Sequence, residues 1–429
     1  MLLIKNGTII DPVSAEIYRA DIWIKEDKLV KICREETAPM EISGKMSEAE
    51  ILDAGGMMIA PGLADTHVHF RDPGFTYKED IFTGAAAAKK GGYTEIVLMA
   101  NTKPCVDNPE TLDYVLQKGK QTGIHIYSCV NVTRGMEGKE LVDMQLLSEK
   151  GAAGFTDDGI PLLEKNIVRE AMQVAAKLDK PVSLHEENPE YIKNNGINAG
   201  KVADSMGLGG SKREAEICMI ERDLKLAEET GATVVIQHIS TKEGVELVRQ
   251  AKSRGVHAHA EATPHHFTLT QDAILAKGTL AKMNPPLREE EDRQAIITGL
   301  QDGTIDIIAT DHAPHSREEK EKKFTEAPSG IIGLETALSL GIRELVNTGR
   351  LTYPQLIERM STSPCRLYGI EGGVIQENGT ANLVIFDPEE TWTVESFASK
   401  SCNSPFIQEE LPGVVYATIC DGKIVYKKS

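Results

Sequence analysis

The sequence predicts an α/β protein: a closed (β/α)8 TIM barrel with a small discontinuous β-sandwich domain built from the two chain ends. Three observations predict it. Eight apolar, strand-like runs alternate with helix-like stretches over about 310 residues; five of those runs end in His or Asp; and both termini consist of short alternating strands poor in such side chains. The boundaries drawn on this basis are 1–55 and 368–429 for the small domain and 56–367 for the barrel.

The amino-terminal segment reads as strands over 2–9, 20–25 and 29–33, with Asn6-Gly7 as a turn signal. The carboxyl-terminal segment reads as strands over 381–387, 414–419 and 423–427, the last two joined at Asp421-Gly422. Strands this short cannot bury a face alone, so the two ends are expected to pair with each other around the central insertion.

The barrel opens with an apolar run over 57–64 that reads as one buried strand, leading to Asp65-Thr-His-Val-His-Phe-Arg-Asp-Pro-Gly74. Alternation along a strand puts His67, His69 and Arg71 on one side and Val68 and Phe70 on the other. Helix and strand segments then alternate: helix 77–90, strand 92–101, helix 108–122, strand 124–131, helix 139–149, strand 151–158, helix 166–178 and strand 181–185. The series continues with helix 212–229, strand 233–238, helix 243–253, strand 256–261, helix 292–300 and strand 306–311. In this architecture the chemistry sits at the carboxyl ends of the strands. There stand His67 and His69 on strand one, Asp157-Asp158 on strand four, His185 on strand five, His238 on strand six and Asp311 on strand eight. A single buried His is ordinarily a hydrogen-bonded core residue. Four His and at least two Asp on one rim would leave unpaired polar groups and repelling carboxylates, unless cations lie between them.

Composition limits the partners. The chain has 429 residues, 41% hydrophobic and 26% charged, with a net charge of −18, which disfavours nucleic acid and anionic membranes. The sequence shows neither a leader-like start nor an apolar stretch near the ~18 residues of a membrane span. Seven scattered cysteines without a Cys-x-x-Cys pair suit reduced thiols in a cytoplasmic protein.

The motifs resemble those of the amidohydrolase superfamily and, within it, the bacterial class I dihydroorotases. The resemblance spans essentially the whole chain and rests on Pro61-Gly-Leu-Ala-Asp-Thr-His-Val-His-Phe-Arg-Asp-Pro-Gly74, Met99-Ala-Asn-Thr-Lys-Pro104, Gly154-Phe-Thr-Asp-Asp-Gly159, Leu184-His-Glu186, Gln237-His-Ile-Ser240, Glu261-Ala-Thr-Pro-His-His266, Met283-Asn-Pro-Pro-Leu-Arg288 and Ala309-Thr-Asp-His-Ala-Pro-His315. It implies reversible, zinc-dependent cyclisation of N-carbamoyl-L-aspartate to L-dihydroorotate in pyrimidine (UMP) biosynthesis.

By position, the resemblance assigns His67, His69 and Asp311 to a first zinc and His185 and His238 to a second, with Asp158 bridging them. Alternation admits only one of Asp157 and Asp158, and the choice of Asp158 follows the family's spacing. One or two Zn2+ ions per chain are expected. Water between divalent cations is acidified far below its bulk pKa, and Asp311 is placed to take the proton of the resulting hydroxide and pass it to the leaving amide nitrogen.

Arg71 is the expected bidentate partner of the substrate carboxylate, with Asn101 adding a hydrogen bond. The alternatives are an ion pair of Arg71 with Asp72 and a turn-capping Asn101. The resemblance adds His69, His315, Asn284, Ser329 and Gly330 as substrate contacts. His312, His265 and His266 are expected to hydrogen-bond metal ligands from behind. His125 shows no partner pattern.

In hydantoinases, allantoinases and other dihydroorotase classes a carboxylated lysine at the end of strand four resembles the bridge, and this chain has no lysine there. Such a cyclic amidase is one rival reading; a catalytically silent barrel scaffolding aspartate transcarbamoylase is another. The family also implies a homodimer and possible complexes with aspartate transcarbamoylase. Two departures from the family pattern stand out: Pro328-Ser-Gly330 where Pro-Phe-Gly is usual, and Ala381-Asn-Leu383 for Ala-Asp-Leu. The charged run 316–323 reads as a solvated loop, with a lid over the pocket as the alternative.

Overall fold

A computed structural model describes residues 1–35 and 49–428; within the expected 1–55 segment, residues 36–48 lie outside the described residues. The strands in chain order are β1 (Leu2–Asp11), β2 (Glu16–Lys25), β3 (Lys28–Arg34), β4 (Glu50–Asp53), β5 (Met58–Pro61), β6 (Leu63–Val68), β7 (Tyr93–Leu98) and β8 (His125–Ser128). They continue as β9 (Val182–Leu184), β10 (Val234–Ile236), β11 (Ala258–Ala262), β12 (Ile307–Ile308), β13 (Leu383–Thr393), β14 (Glu410–Cys420) and β15 (Lys423–Lys427).

The two ends of the chain pair in one eight-stranded sheet of order β15-β14-β13-β5-β1-β2-β3, with β4 on β1. Ile4, Ile9, Ile22, Leu29, Ile59, Leu383, Ile385 and Ile419 meet in an apolar core of their own, separate from that of the barrel. Asn6-Gly7 does not turn the chain as its sequence suggests. Asn6 has φ 61°, and the register with β2 shifts between Ile4 and Gly7, so the pair forms a bulge inside a continuous strand. Apolar residues continue on both sides of it, and burying them outweighs the local turn preference. Residues 57–64 also differ from the single strand expected. At Gly62 the run divides, β5 joining the terminal sheet between β1 and β13 and β6 opening the barrel.

The barrel consists of two parallel sheets, β6-β7-β8 and β9-β10-β11-β12. Strand four of the sequence reading is reduced to Phe155, which bridges Val130 on one side and Val182 on the other. Val68 and His312 close the ring on the opposite side, where the His69 N–H donates to the His312 carbonyl at 2.9 Å. The outer helices match the predicted order with shifted ends. The first spans Ile81–Lys90 and begins later than expected because the Asp80 carboxylate accepts from the Phe82 and Thr83 N–H groups and caps it. After Ile81 its buried face is Gly and Ala, and a Cβ at Gly84 would lie 2.3 Å from the Phe70 ring. That small-residue face lets the helix sit tightly on the strand end that carries His67 and His69. No helix of the described residues is long and apolar enough to cross a membrane.

His125 joins the two cores. Its Nδ1 lies 3.3 Å from Glu95, which is fully buried on β7, and its Nε2 lies 3.1 Å from Asp421 in the β14–β15 turn. Cys420 and Glu95 raise its pKa to about 11 against the opposing effect of burial. A raised folded-state pKa means that its stabilisation is complete below about pH 6.5 and is lost as pH climbs towards about 11. Removing the imidazole leaves the fully buried Glu95 carboxylate without its charged partner, at a cost on the order of 2 kcal/mol because His125 itself is partly exposed. His125→Ala is therefore expected to lower the melting temperature clearly at pH 6, with the gap to wild type narrowing as melts are run up to pH 10; a gap that widened with pH would contradict this.

Candidate metal and substrate site

The strand-end residues converge as alternation and barrel closure require. Two groups of three ligand atoms form at the carboxyl ends of the strands, His67-His69-Asp158 and Asp158-His185-His238, sharing Asp158. His67 Nε2 is 3.4 Å from Asp158 Oδ1 and 3.6 Å from Asp311 Oδ1, while His69 Nε2 is 3.4 Å from Asp158 Oδ2 and 3.0 Å from Asp311 Oδ1. On the other side, His185 Nδ1 and His238 Nε2 each lie 3.7 Å from Asp158 Oδ1 and 3.0 Å from one another. All six side chains are buried.

Supporting hydrogen bonds fix which nitrogen faces inward. The Nδ1–H of His67 donates to Glu261 at 3.0 Å, and the Nε2–H of His185 donates to Glu187 at 3.1 Å. Asn101 Oδ1 accepts from His69 Nδ1 at 2.9 Å, while its Nδ2 donates to Asp158. In its neutral form each of these imidazoles presents a lone pair to the cluster, and the buried His67 Nε2 has no hydrogen-bond partner.

This donor set fits divalent cations. Ligands about 2 Å from a tetrahedral ion stand about 3.3 Å apart, within the observed 3.0–3.7 Å. Two imidazole lone pairs 3.0 Å apart, at His185 and His238, repel unless a proton or a cation lies between them. The charge balance agrees. Burial alone would raise the Asp158 pKa, but His67, His185 and His238 hold it well below the usual range. Burial disfavours charge on His185, yet Asp158 and Glu187 raise its pKa to about 10. Asp311 is likewise held low against burial, by His69 first.

Asp157 is excluded from the cluster. Its Oδ1 accepts from the Val132 and Thr133 N–H groups at 2.8 and 3.3 Å, and its Oδ2 from the Thr133 hydroxyl. Nor do the side chains of His312, His265 and His266 back the cluster residues as expected. His312 Nδ1 accepts from the Gly333 N–H, with Nε2 3.5 Å from Glu79; His266 bonds Thr263 and the Pro285 carbonyl; and His265 Nε2 has no partner. The supporting groups are Glu261, Glu187 and Asn101 instead. Backbone strain marks the same place: Arg71, His238 and Asp311 have left-handed φ of 60°, 34° and 48°, each costing on the order of 1–3 kcal/mol.

Above the cluster lies a cavity of about 320 Å³ lined by His69, Arg71, Asn101, Asp158, His185, His238, Asn284, Asp311, His315, Ser329 and Gly330, among others. Every substrate contact expected from the sequence is in that lining, as is Asn195, which the sequence reading did not single out. No lysine is. Arg71 does not pair with Asp72, whose carboxylate takes Tyr114 at 2.9 Å and Lys118 at 2.7 Å. Arg71 Nε donates to the Pro314 carbonyl at 3.3 Å, and Nη2 lies 3.5 Å from His315, so no carboxylate bonds the guanidinium among the described residues. Asn284 Oδ1 and Ser329 Oγ are buried without partners. Arg288, at the end of the same motif as Asn284, instead ties Asn198, Ser211 and Ser240 together beneath the rim.

Residues 56–244 match the family model described as "Dihydro-orotase-like". A curated dihydroorotase of Clostridioides difficile (strain 630) is 54% identical over 99% of this chain and 100% of its own length. One of Clostridium acetobutylicum is 49% identical over the full length of both. Among solved structures, the L-hydantoinase (dihydropyrimidinase) from Arthrobacter aurescens superposes with a TM-score of 0.86 at 27% identity, covering 100% of this chain and 96% of that one. The D-hydantoinase (dihydropyrimidinase) from Thermus sp. gives 0.82 at 26% identity, covering 100% and 97%.

Proposed function

The chain belongs to the dihydroorotase family, and from that premise we propose how its residues interconvert N-carbamoyl-L-aspartate and L-dihydroorotate. The carrying observation is the sharing of Asp158 by two histidine groups beneath a cavity that holds an unpaired arginine. His67, His69 and Asp311 would hold one zinc, His185 and His238 a second, with Asp158 between. Bound there, zinc supplies Lewis acidity, polarising a carbonyl oxygen and lowering the pKa of water to about 7.

The protein's part is orientation and proton movement. Arg71, with His315 beside it, holds the free carboxylate of dihydroorotate through its planar fork. Asn284 and Ser329 offer unpartnered polar atoms to the ring. Asp311, at the cavity floor, receives a proton from the attacking water and delivers it to the ring nitrogen as the C–N bond breaks. Cyclisation reverses this: the amide nitrogen loses its proton, attacks the carboxyl carbon, and water leaves.

Ring opening of dihydroorotate, followed by its absorbance, tests the reading. Chelation is expected to abolish turnover and zinc to restore it, with hydantoin not hydrolysed at a comparable rate. Preference for hydantoin would favour the cyclic-amidase alternative, and turnover of neither would favour a silent scaffold. The absence of a lysine from the cavity lining supports the first outcome.

The terminal sheet supports reading the two chain ends as one unit packed on the barrel, but it takes β5 (Met58–Pro61) from the expected 56–367 range, so the boundary falls at Gly62 and not at 55. Seven free cysteines support a cytoplasmic setting. The family resemblance supports a homodimer and complexes with aspartate transcarbamoylase, which sizing with and without that enzyme would test.

A further inference from the structure

Two lysines are buried beside the cavity, Lys282 2% and Lys320 4% exposed, although lysine is almost never fully buried without a partner. Their partners are four main-chain carbonyls of one short segment. Lys282 Nζ donates to Phe324 and Ala327, both at 2.7 Å. Lys320 Nζ donates to Pro328 at 2.9 Å and Gly330 at 3.0 Å. The same segment presents Ser329 and Gly330 to the cavity, and the Ser329 carbonyl accepts from His315 at 2.8 Å. The main chain of Lys282 joins in, its carbonyl accepting from the Gly330 N–H at 2.9 Å, and Asn284 follows two residues later. Asn403 adds a bond to the Gly330 carbonyl at 3.1 Å.

Most of the charged run 316–323 is exposed, as expected, but its helix Arg317–Lys320, capped by Ser316, delivers one ammonium group into the interior. A compact ammonium with three donors suits such a task, because it can satisfy two diverging carbonyls at once. A loop without regular structure has no ladder of its own to keep it in place.

We propose that Lys282 and Lys320 are positioning residues for substrate binding: together they lock segment 324–330 in the shape that sets Ser329, Gly330 and His315 around the dihydroorotate ring and carboxylate. This rests on reading the cavity as the dihydroorotate site. It also accounts for the tolerance of Ser329 where phenylalanine is usual, since the segment is held through its main chain and not by the side chain at 329. Burial and the neighbouring Lys282 lower the pKa of Lys320 to about 7, in keeping with a group held mainly by dipoles.

The test compares wild type with Lys320→Met and Lys282→Met, which keep the bulk and remove the donors. KM for dihydroorotate is expected to rise about tenfold or more in each, with kcat within about threefold of wild type and metal content unchanged. A variant whose melting temperature falls while KM stays put would show the lysines to be purely structural and overturn the inference, as would equal loss of kcat at constant KM. Should one methionine variant not fold, the other carries the comparison, and Lys320→Gln, which retains a donor, is expected to raise KM less than Lys320→Met. Failure of the wild type to open dihydroorotate would strike the reading of the site; normal wild-type turnover with unaltered KM in the variants would strike only the bracing.

Discussion

Asp311→Asn is expected to lower kcat for dihydroorotate by about 10³-fold or more, roughly 4 kcal/mol of transition-state stabilisation, without unfolding the protein. The asparagine amide fills the same volume but cannot take up a proton and is a poor metal ligand. Asp311 is placed for both tasks: its Oδ1 lies 3.0 Å from His69 and 3.6 Å from His67, and the residue lines the cavity proposed to hold the substrate. Its left-handed backbone, φ 48°, is a conformation that asparagine tolerates as readily as aspartate, so the change should not disturb the strand end. KM should move much less than kcat, because Arg71, Asn284 and His315 still hold the substrate. A kcat within tenfold of wild type, with an unchanged melting temperature, would remove Asp311 from the proton transfer.

The residues proposed as metal ligands are legible because they obey two simple rules, period-two alternation on strands and chemistry at strand ends. His67, His69, His185, His238 and Asp311 all follow them. Asp157 against Asp158 was not decidable that way, because the fourth strand is only the bridge at Phe155 and alternation has no meaning beyond it. What decides is the N–H groups of Val132 and Thr133, which capture Asp157. The roles of Glu261, which opens one of the motifs, and of Glu187 are illegible for another reason: a glutamate reads as a surface residue until the imidazole it serves is known. His125 needed Cys420 and Asp421, almost 300 residues away, which only the terminal sheet brings near it. Lys282 and Lys320 were illegible in principle, since their acceptors are backbone carbonyls and carry no side-chain signature.

Local signals failed where burial competed with them. Asn6-Gly7 became a bulge because the apolar pattern continues through it, and 57–64 split because Gly62 packs against Thr94, where a Cβ would come within 1.9 Å of the hydroxyl oxygen. That division matters for the site. It leaves β6 free to start a new sheet with β7, and β6 is the strand that delivers His67.

Asp158→Asn should have a comparably large effect by a different route, and the contrast with Asp311→Asn separates holding metal from moving protons. Asp158 is the one side chain common to both ligand groups, within 3.4–3.7 Å of all four histidine nitrogens that face the cluster. Replacing it by a neutral amide removes the charge shared by both groups and leaves Asp311 as the one carboxylate beside four buried imidazoles, so that holding two divalent ions there is opposed. Activity is expected to fall by about 10³-fold or more, and metal per chain is expected to fall at both positions together. A ligand binding only the folded state at a thousandfold excess over Kd stabilises it by about 4 kcal/mol. Wild type should accordingly gain melting temperature with added zinc, Asp311→Asn should keep much of that gain through His185 and His238, and Asp158→Asn should lose nearly all of it. Full zinc stabilisation in Asp158→Asn would mean that the two histidine groups bind independently and that the carboxylate between them is not a bridge.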